Sequence, residues 1–214
     1  MKNSSLGQAW LVLLLSLAFG AALAGVQVGW GPIIEQNKRN KTYDQIPRLV
    51  HDVEAVDLTG KPAKLSGVKE ATEEVPYDDG KSVAFKVFWQ GKDPAGKVHL
   101  GWVIKGKGNG YADVIEVLIG LDRKAERITG LTVLFNNETP GLGNKITTEK
   151  FQDQFRGLDA AKPVGYEKSA PAPGSNRIQA ISGATISSES VCNIVNQAVA
   201  GFRAQLPALN QKDH

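Results

Sequence analysis

Cysteine is almost absent. Cys192 is the single one in 214 residues, which excludes a disulfide framework within the chain. Three histidines, His51, His99 and His214, are scattered and, with one cysteine, offer no metal or catalytic set. Charge of one sign is also missing. Lys+Arg 25 against Asp+Glu 22 leaves +3, too little for a field that draws the chain to nucleic acid. There is no internal repeat, no low-complexity tract and no G-x-x-x-x-G-K-[ST] loop. What remains, 42% hydrophobic and 22% charged, is globular composition at a length that suits one domain with some chain to spare.

Long apolar runs are missing as well, with one exception. From Asn3 to Ile34 no side chain is charged, and Ala9 to Val28 is long enough at helical rise to match a bilayer core. Trp10 and Trp30 bracket it, as interfacial rings do. A cleaved signal peptide is the rival reading, since Ala22-Leu23-Ala24 resembles a cleavage site. The run continues without charge to Glu35, which favours a retained anchor. Only Lys2 and the terminal amine precede the span, whereas Lys38, Arg39, Lys41 and Arg48 come after it. That bias alone puts the rest of the chain in the cytoplasm, although a domain of this size crosses membranes largely regardless of charge.

The expected organisation is an N-terminal transmembrane anchor over 1–30, a helical stalk and connecting segment over 31–80, a domain over 81–208 and a polar tail over 209–214. In the stalk, Tyr43, Ile46, Val50 and Val53 recur at helical intervals, with Pro47 expected to break or bend the helix. Gly60-Lys61-Pro62 reads as a turn, and the acidic run from Glu70 to Asp79 as a surface loop. Ser82–Gln90 alternates Val83, Phe85, Val87 and Trp89 on one face, the pattern of a half-buried strand. After a turn at Gly91–Gly96, strands are expected at Val98–Ile104, Asp113–Leu121 and Arg127–Phe135. Thr148–Leu158 reads as a short helix. Ser187–Leu206 is a clear one, with an apolar stripe of Val191, Ile194, Val195, Ala198, Phe202 and Leu206. Hairpin strands followed by helices predict an α+β fold, an antiparallel sheet with packed helices. Cys192, on the striped face, reads as a small buried hydrophobe.

Two segments could carry chemistry. Glu138-Thr139-Pro140-Gly141-Leu142-Gly143-Asn144-Lys145 comes directly after a strand; its glycines allow close backbone approach and Lys145 brings a charge. Ser182-Gly183-Ala184-Thr185 precedes the clear helix, where unpaired N–H groups and the helix dipole favour a phosphate. Each has a plainer reading: the first as a turn, the second as a cap made by Thr185 or Ser187. Gly106-Lys107-Gly108-Asn109-Gly110 lacks the dinucleotide spacing and a surrounding βαβ unit, so it too reads as a turn. Asn40-Lys41-Thr42 and Asn137-Glu138-Thr139 match a glycosylation pattern short enough to arise by chance.

Taken together, the two segments resemble a known family. SGAT before a C-terminal helix looks like the attachment motif of proteins that carry FMN in phosphoester linkage to threonine. The ETPGLG loop accompanies it in the G subunit of the Rnf electron-transport complex and the C subunit of the sodium-translocating NADH:quinone reductase. The single span, the Gly110-Tyr111 turn and the strand VIEVLIGLD are similar too, so that the likeness covers about residues 5 to 206. Chain length and the one span resemble the Rnf G subunit most; the multi-span flavinylated subunits are excluded.

The resemblance implies an FMN-binding domain with the phosphoester on Thr185. Ser182, Gly183 and Ala184 would shape the surrounding loop, and Glu138, Thr139, Gly141, Leu142, Gly143 and Lys145 would close over the flavin. It implies an electron-relaying translocase subunit without catalytic residues of its own. The partners would be multi-span flavinylated and iron–sulfur subunits, with a flavin transferase for maturation. The chain would sit in the bacterial inner membrane with its domain outside the cytoplasm, against the charge count. Where the family often has an acidic residue, this sequence has Gln179, which keeps a carbonyl acceptor but loses the charge. A membrane-anchored binding or regulatory module without stable flavin is the alternative.

Overall fold

A computed structural model describes residues 5–50, 72–78, 82–90 and 97–211. Val53, His51, His214 and the turns expected at Gly60–Pro62 and Gly91–Gly96 lie outside them. The chain divides into two compact units, 1–41 and 42–214.

Most of the first unit is helix. α1 (Ser5–Val50) begins in it, and from Trp10 to Ile34 its large apolar side chains are exposed, a stretch long and apolar enough to cross a membrane. The helix is unbroken at residue 30, where the expected anchor gives way to the expected stalk.

In the second unit, the end of α1 packs on a five-stranded antiparallel sheet. The strands are β1 (Thr72–Tyr77), β2 (Ser82–Gln90), β3 (Lys97–Asn109), β4 (Val114–Asp122) and β5 (Ile128–Phe135), paired in sequence order. α3 (Thr185–Gln211) covers one face. Ala84, Trp102, Ile104, Val117 and Ile119 point to it and form one core with Val191, Ile194, Val195 and Phe202 of the helix. The residues between them, Phe85, Val87, Val103 and Leu118, point to the other face and pack on Ile46, Leu49 and Val50.

Several expectations change. Pro47 does not stop α1, which runs through it to Val50. A proline inside a helix costs about 3 kcal/mol. Burying Ile46, Leu49 and Val50 offsets this at about 1.5–3 kcal/mol each. The acidic run is a strand rather than a loop: β1 is the sheet edge, so Glu73 and Glu74 stay exposed while Tyr77 is buried against Phe202. The middle of β2 is buried on both faces: α1 covers the apolar face of Phe85 and Val87, and Ala84, on the face expected to meet solvent, joins the core under α3. Gly106 to Asn109 is the end of β3, not a turn; Cβ atoms at Gly106 and Gly108 would meet Ile194 at 2.8 and 2.6 Å, so the glycines let α3 lie close. The short helix over 148–158 contracts to α2 (Glu149–Gln152) and a 3-10 turn at Asp153–Phe155, which bury Phe151 and Phe155. α3 runs past the expected start of the polar tail, with Leu209 buried.

Two elements were not expected. β6 (Gly165–Glu167) and β7 (Arg177–Gln179) form a two-stranded parallel pair. β7 leads directly into the loop before α3, which it anchors through the Ala180 N–H to the Glu167 carbonyl (2.7 Å).

Candidate functional site

The loop after β5 is shaped by its own polar groups. Asn144 Oδ1 accepts the Gly141 N–H at 2.8 Å, and the Thr139 carbonyl accepts the N–H groups of Leu142 and Asn144. Gly141 has φ +76, a left-handed conformation that side chains rarely tolerate. The chain then enters a 3-10 turn at Gly143–Thr147 that buries Ile146 and leaves Lys145 exposed.

The loop before α3 is held from both ends. Gln154 clamps β7, its Oε1 accepting the Gln179 N–H at 2.7 Å. The Gln179 side-chain amide donates to the Lys168 carbonyl at 3.5 Å. Ser188 accepts the Ile181 N–H and donates to the Ala184 carbonyl, both at 3.0 Å. Gly183 has φ +80, which turns the chain into the helix.

The structure brings the two loops together. Glu138 Oε2 accepts a hydrogen bond from Ser187 Oγ at 2.5 Å, and Leu142 Cδ2 lies 3.3 Å from where a Cβ on Gly183 would be. Glu138 and Gly143 are buried beneath the loop, whereas Thr139, Gly141, Leu142 and Lys145 lie on its exposed side. Ser182 and Gly183 are exposed, Ala184 is buried and Thr185 is half-buried.

The capping alternative fails. Helix α3 starts at Thr185, and the residue before it, Ala184, has no side-chain acceptor. Ser187 is occupied as a donor to Glu138. Among the described residues, none hydrogen-bonds the Thr185 hydroxyl. A free hydroxyl therefore stands in the first turn, where N–H groups lack intrahelical partners and the dipole is positive. That chemistry fits a phosphate ester.

Beside Ser182 a cavity of about 420 Å³ opens, lined by Lys145, Lys150, Lys168, Phe151 and Gln179. Lys150 and Lys168 were not anticipated; they lie on separate segments, and only the fold gathers them. Cys192 is buried, and burial with the nearby Glu189 charge pushes its thiol up to about 12. His99 lies between Phe88 and Trp102, tilted against the first and edge-on to the second. Among the described residues no cluster of histidine, cysteine and carboxylates could hold a metal.

Residues 110–200, which carry both loops and the first half of α3, match the FMN-binding domain family. The fold is that of NqrC from Shewanella oneidensis, with a TM-score of 0.53 at 22% identity, covering 75% of this chain and 77% of that one. The domain is thus of the FMN-binding class.

Among the relatives, the G subunit of the Clostridium ljungdahlii proton-translocating ferredoxin:NAD(+) oxidoreductase complex is 31% identical over 84% of this chain and 82% of its own. The G subunit of the corresponding sodium-translocating complex of Acetobacterium woodii is 35% identical over 59% of this chain. The G subunit of the ion-translocating oxidoreductase complex of Methanosarcina acetivorans is 37% identical over 60%. The matched region spans 65% and 63% of those two relatives' length. The chain belongs to the family of Rnf-type ion-translocating oxidoreductase G subunits.

Proposed function

We propose that this protein is a membrane-anchored electron relay whose FMN is joined by a phosphoester to Thr185. It works within an Rnf-type complex that couples ferredoxin and NAD redox chemistry to ion translocation. The proposed organisation is an anchor at 1–30, a stalk and connection at 31–80 whose end supplies the edge strand β1, a flavin domain at 81–208, and a tail at 209–214 whose first residues continue α3. The domain lies on the extracytoplasmic side of the membrane, a reading that rests on the family and runs against the Lys/Arg count. Its partners are multi-span flavinylated and iron–sulfur subunits, and a flavin transferase matures it.

The observation that carries this reading is the unpartnered Thr185 hydroxyl at the start of α3. Attachment forms one bond, from Thr185 Oγ1 to the phosphorus bearing the ribityl chain. It breaks the pyrophosphate bond of a flavin dinucleotide donor; AMP leaves and the hydroxyl proton is lost. The first-turn N–H groups of α3 offset the charge of the resulting phosphodiester. Gly183 and Ala184 leave room beside it, Leu142 supplies an apolar wall, and Lys145 brings a positive charge to the cavity beside Ser182. FMN supplies one- and two-electron transfer there, while the protein supplies position and electrostatics. The covalent bond prevents loss of the flavin, and the anchor replaces diffusion by a high effective concentration.

The test is co-expression with a flavin transferase, a denaturing gel and a scan for flavin fluorescence, beside Thr185→Val. Fluorescence that survives denaturation and disappears in the variant supports the covalent relay. A colourless wild-type chain overturns it and leaves a binding or regulatory module.

A further inference from the structure

We propose that Glu138 is a positioning residue for the flavin linkage, acting through Ser187 to hold Thr185 in register with the Glu138–Lys145 loop. The inference rests on the covalent reading above and assigns the part played by a residue that is not itself exposed to the flavin. Glu138 is 4% exposed, and both of its oxygens are engaged: Oε1 accepts the Ala112 N–H at 3.1 Å, and Oε2 accepts Ser187 Oγ at 2.5 Å. One carboxylate thus joins three segments, the β3–β4 turn, the loop after β5 and the first turn of α3.

The surroundings are built to admit it. A Cβ on Gly110 would collide with Glu138 Oε1, and a Cβ on Gly143 would lie 2.7 Å from both Glu138 Oε2 and Ser187 Oγ. Two glycines on separate segments therefore leave space for one carboxylate and its partner. Burying a carboxylate is costly unless its acceptors are filled, and here the two donors and the positive end of the α3 dipole compensate. Ser187 sits one residue beyond Ile186 in the turn that Thr185 begins, so fixing its hydroxyl fixes the rotation of that turn about the helix axis. With the inner side of the turn held by Glu138, the Thr185 hydroxyl is left for chemistry. Buried and with both oxygens engaged, Glu138 acts through Ser187: it decides where the accepting oxygen stands.

The test measures the rate of in-gel flavinylation of the full chain by its transferase, for wild type, Glu138→Ala, Glu138→Gln and Ser187→Ala. Thermal unfolding of each flavin-free protein is measured in parallel. Misplacing a reacting atom lowers turnover rather than binding, so kcat is expected to fall about tenfold or more in Glu138→Ala with KM little changed. Glu138→Gln, which keeps a carbonyl acceptor of the same shape, restores most of the rate. Ser187→Ala loses rate as Glu138→Ala does, and decides the matter if Glu138→Ala does not fold. Folded variants that flavinylate at the wild-type rate overturn the proposal, as does a glutamine variant no better than alanine. A wild-type chain that is never labelled instead overturns the covalent reading itself.

Discussion

Gly120 stands directly opposite Gly130 across the β4–β5 pair, and Leu49 from α1 lies over the gap they leave. A Cβ on Gly120 would come within 2.5 Å of both the Leu49 carbonyl and Thr129 Oγ1, which themselves share a 2.6 Å hydrogen bond. The end of α1 is therefore keyed to the sheet by missing side chains. Gly120→Ala should destabilise the protein by about 1–3 kcal/mol through overpacking. Thr129→Val should cost about 1–3 kcal/mol by leaving the buried Leu49 carbonyl without its donor. Urea unfolding of the solubilised protein measures both.

Cys192 titrates far above an ordinary thiol, at about 12, because burial and then the Glu189 charge oppose its thiolate. A raised folded-state value means stability that is complete below about 9, the unfolded thiol's value, and is lost as pH climbs towards 12. Iodoacetamide at pH 8 should therefore leave the folded protein unmodified and label it once urea unfolds it. Rapid labelling of the native protein would contradict the burial.

Asp113 has the opposite sign. The Asn137 side chain, then the Val114 N–H, stabilise its carboxylate and hold it below the usual range. Its contribution is present above the unfolded carboxylate's value and disappears as pH falls through the folded one. Asn137→Ala should move the acid unfolding midpoint to higher pH, while stability differences between the two proteins shrink at the most acidic end. An unchanged acid midpoint would count against the pair.

The buried thiol also makes topology testable. Lys124 is exposed at the β4–β5 turn. In spheroplasts, a membrane-impermeant maleimide should label Lys124→Cys without lysis if the domain is extracytoplasmic, over a low background from Cys192. Labelling only after lysis would put the domain where Lys38, Arg39, Lys41 and Arg48 alone would have it.

Alternating apolar residues are enough to locate β2, β4, β5 and the stripe of α3, because each buries a continuous face. β1 escapes that signal. It is a sheet edge whose exposed Glu73 and Glu74 read as surface chain, with Val75 and Tyr77 packing on the core. β6 and β7 are three residues each and pair in parallel, so no local pattern announces them. Of the site, the two loops are legible as motifs, but their contact is not. Glu138 and Ser187 are 49 residues apart, and nothing in two common polar residues marks them as partners. The missing Cβ atoms at Gly110 and Gly143 become meaningful only once the carboxylate between them is seen. Thr185 likewise reads as a cap until the helix is known to begin with it.

The most direct measurement is peptide mass spectrometry of chain matured with its flavin transferase. Trypsin releases Ile178–Arg203 as one peptide, whose hydroxyl residues are Ser182, Thr185, Ser187, Ser188 and Ser190. A covalent relay at Thr185 gives that peptide the added mass of FMN less one water, with fragmentation placing it on the threonine. An unmodified peptide, or a flavin on any of its four serines, would contradict the assignment.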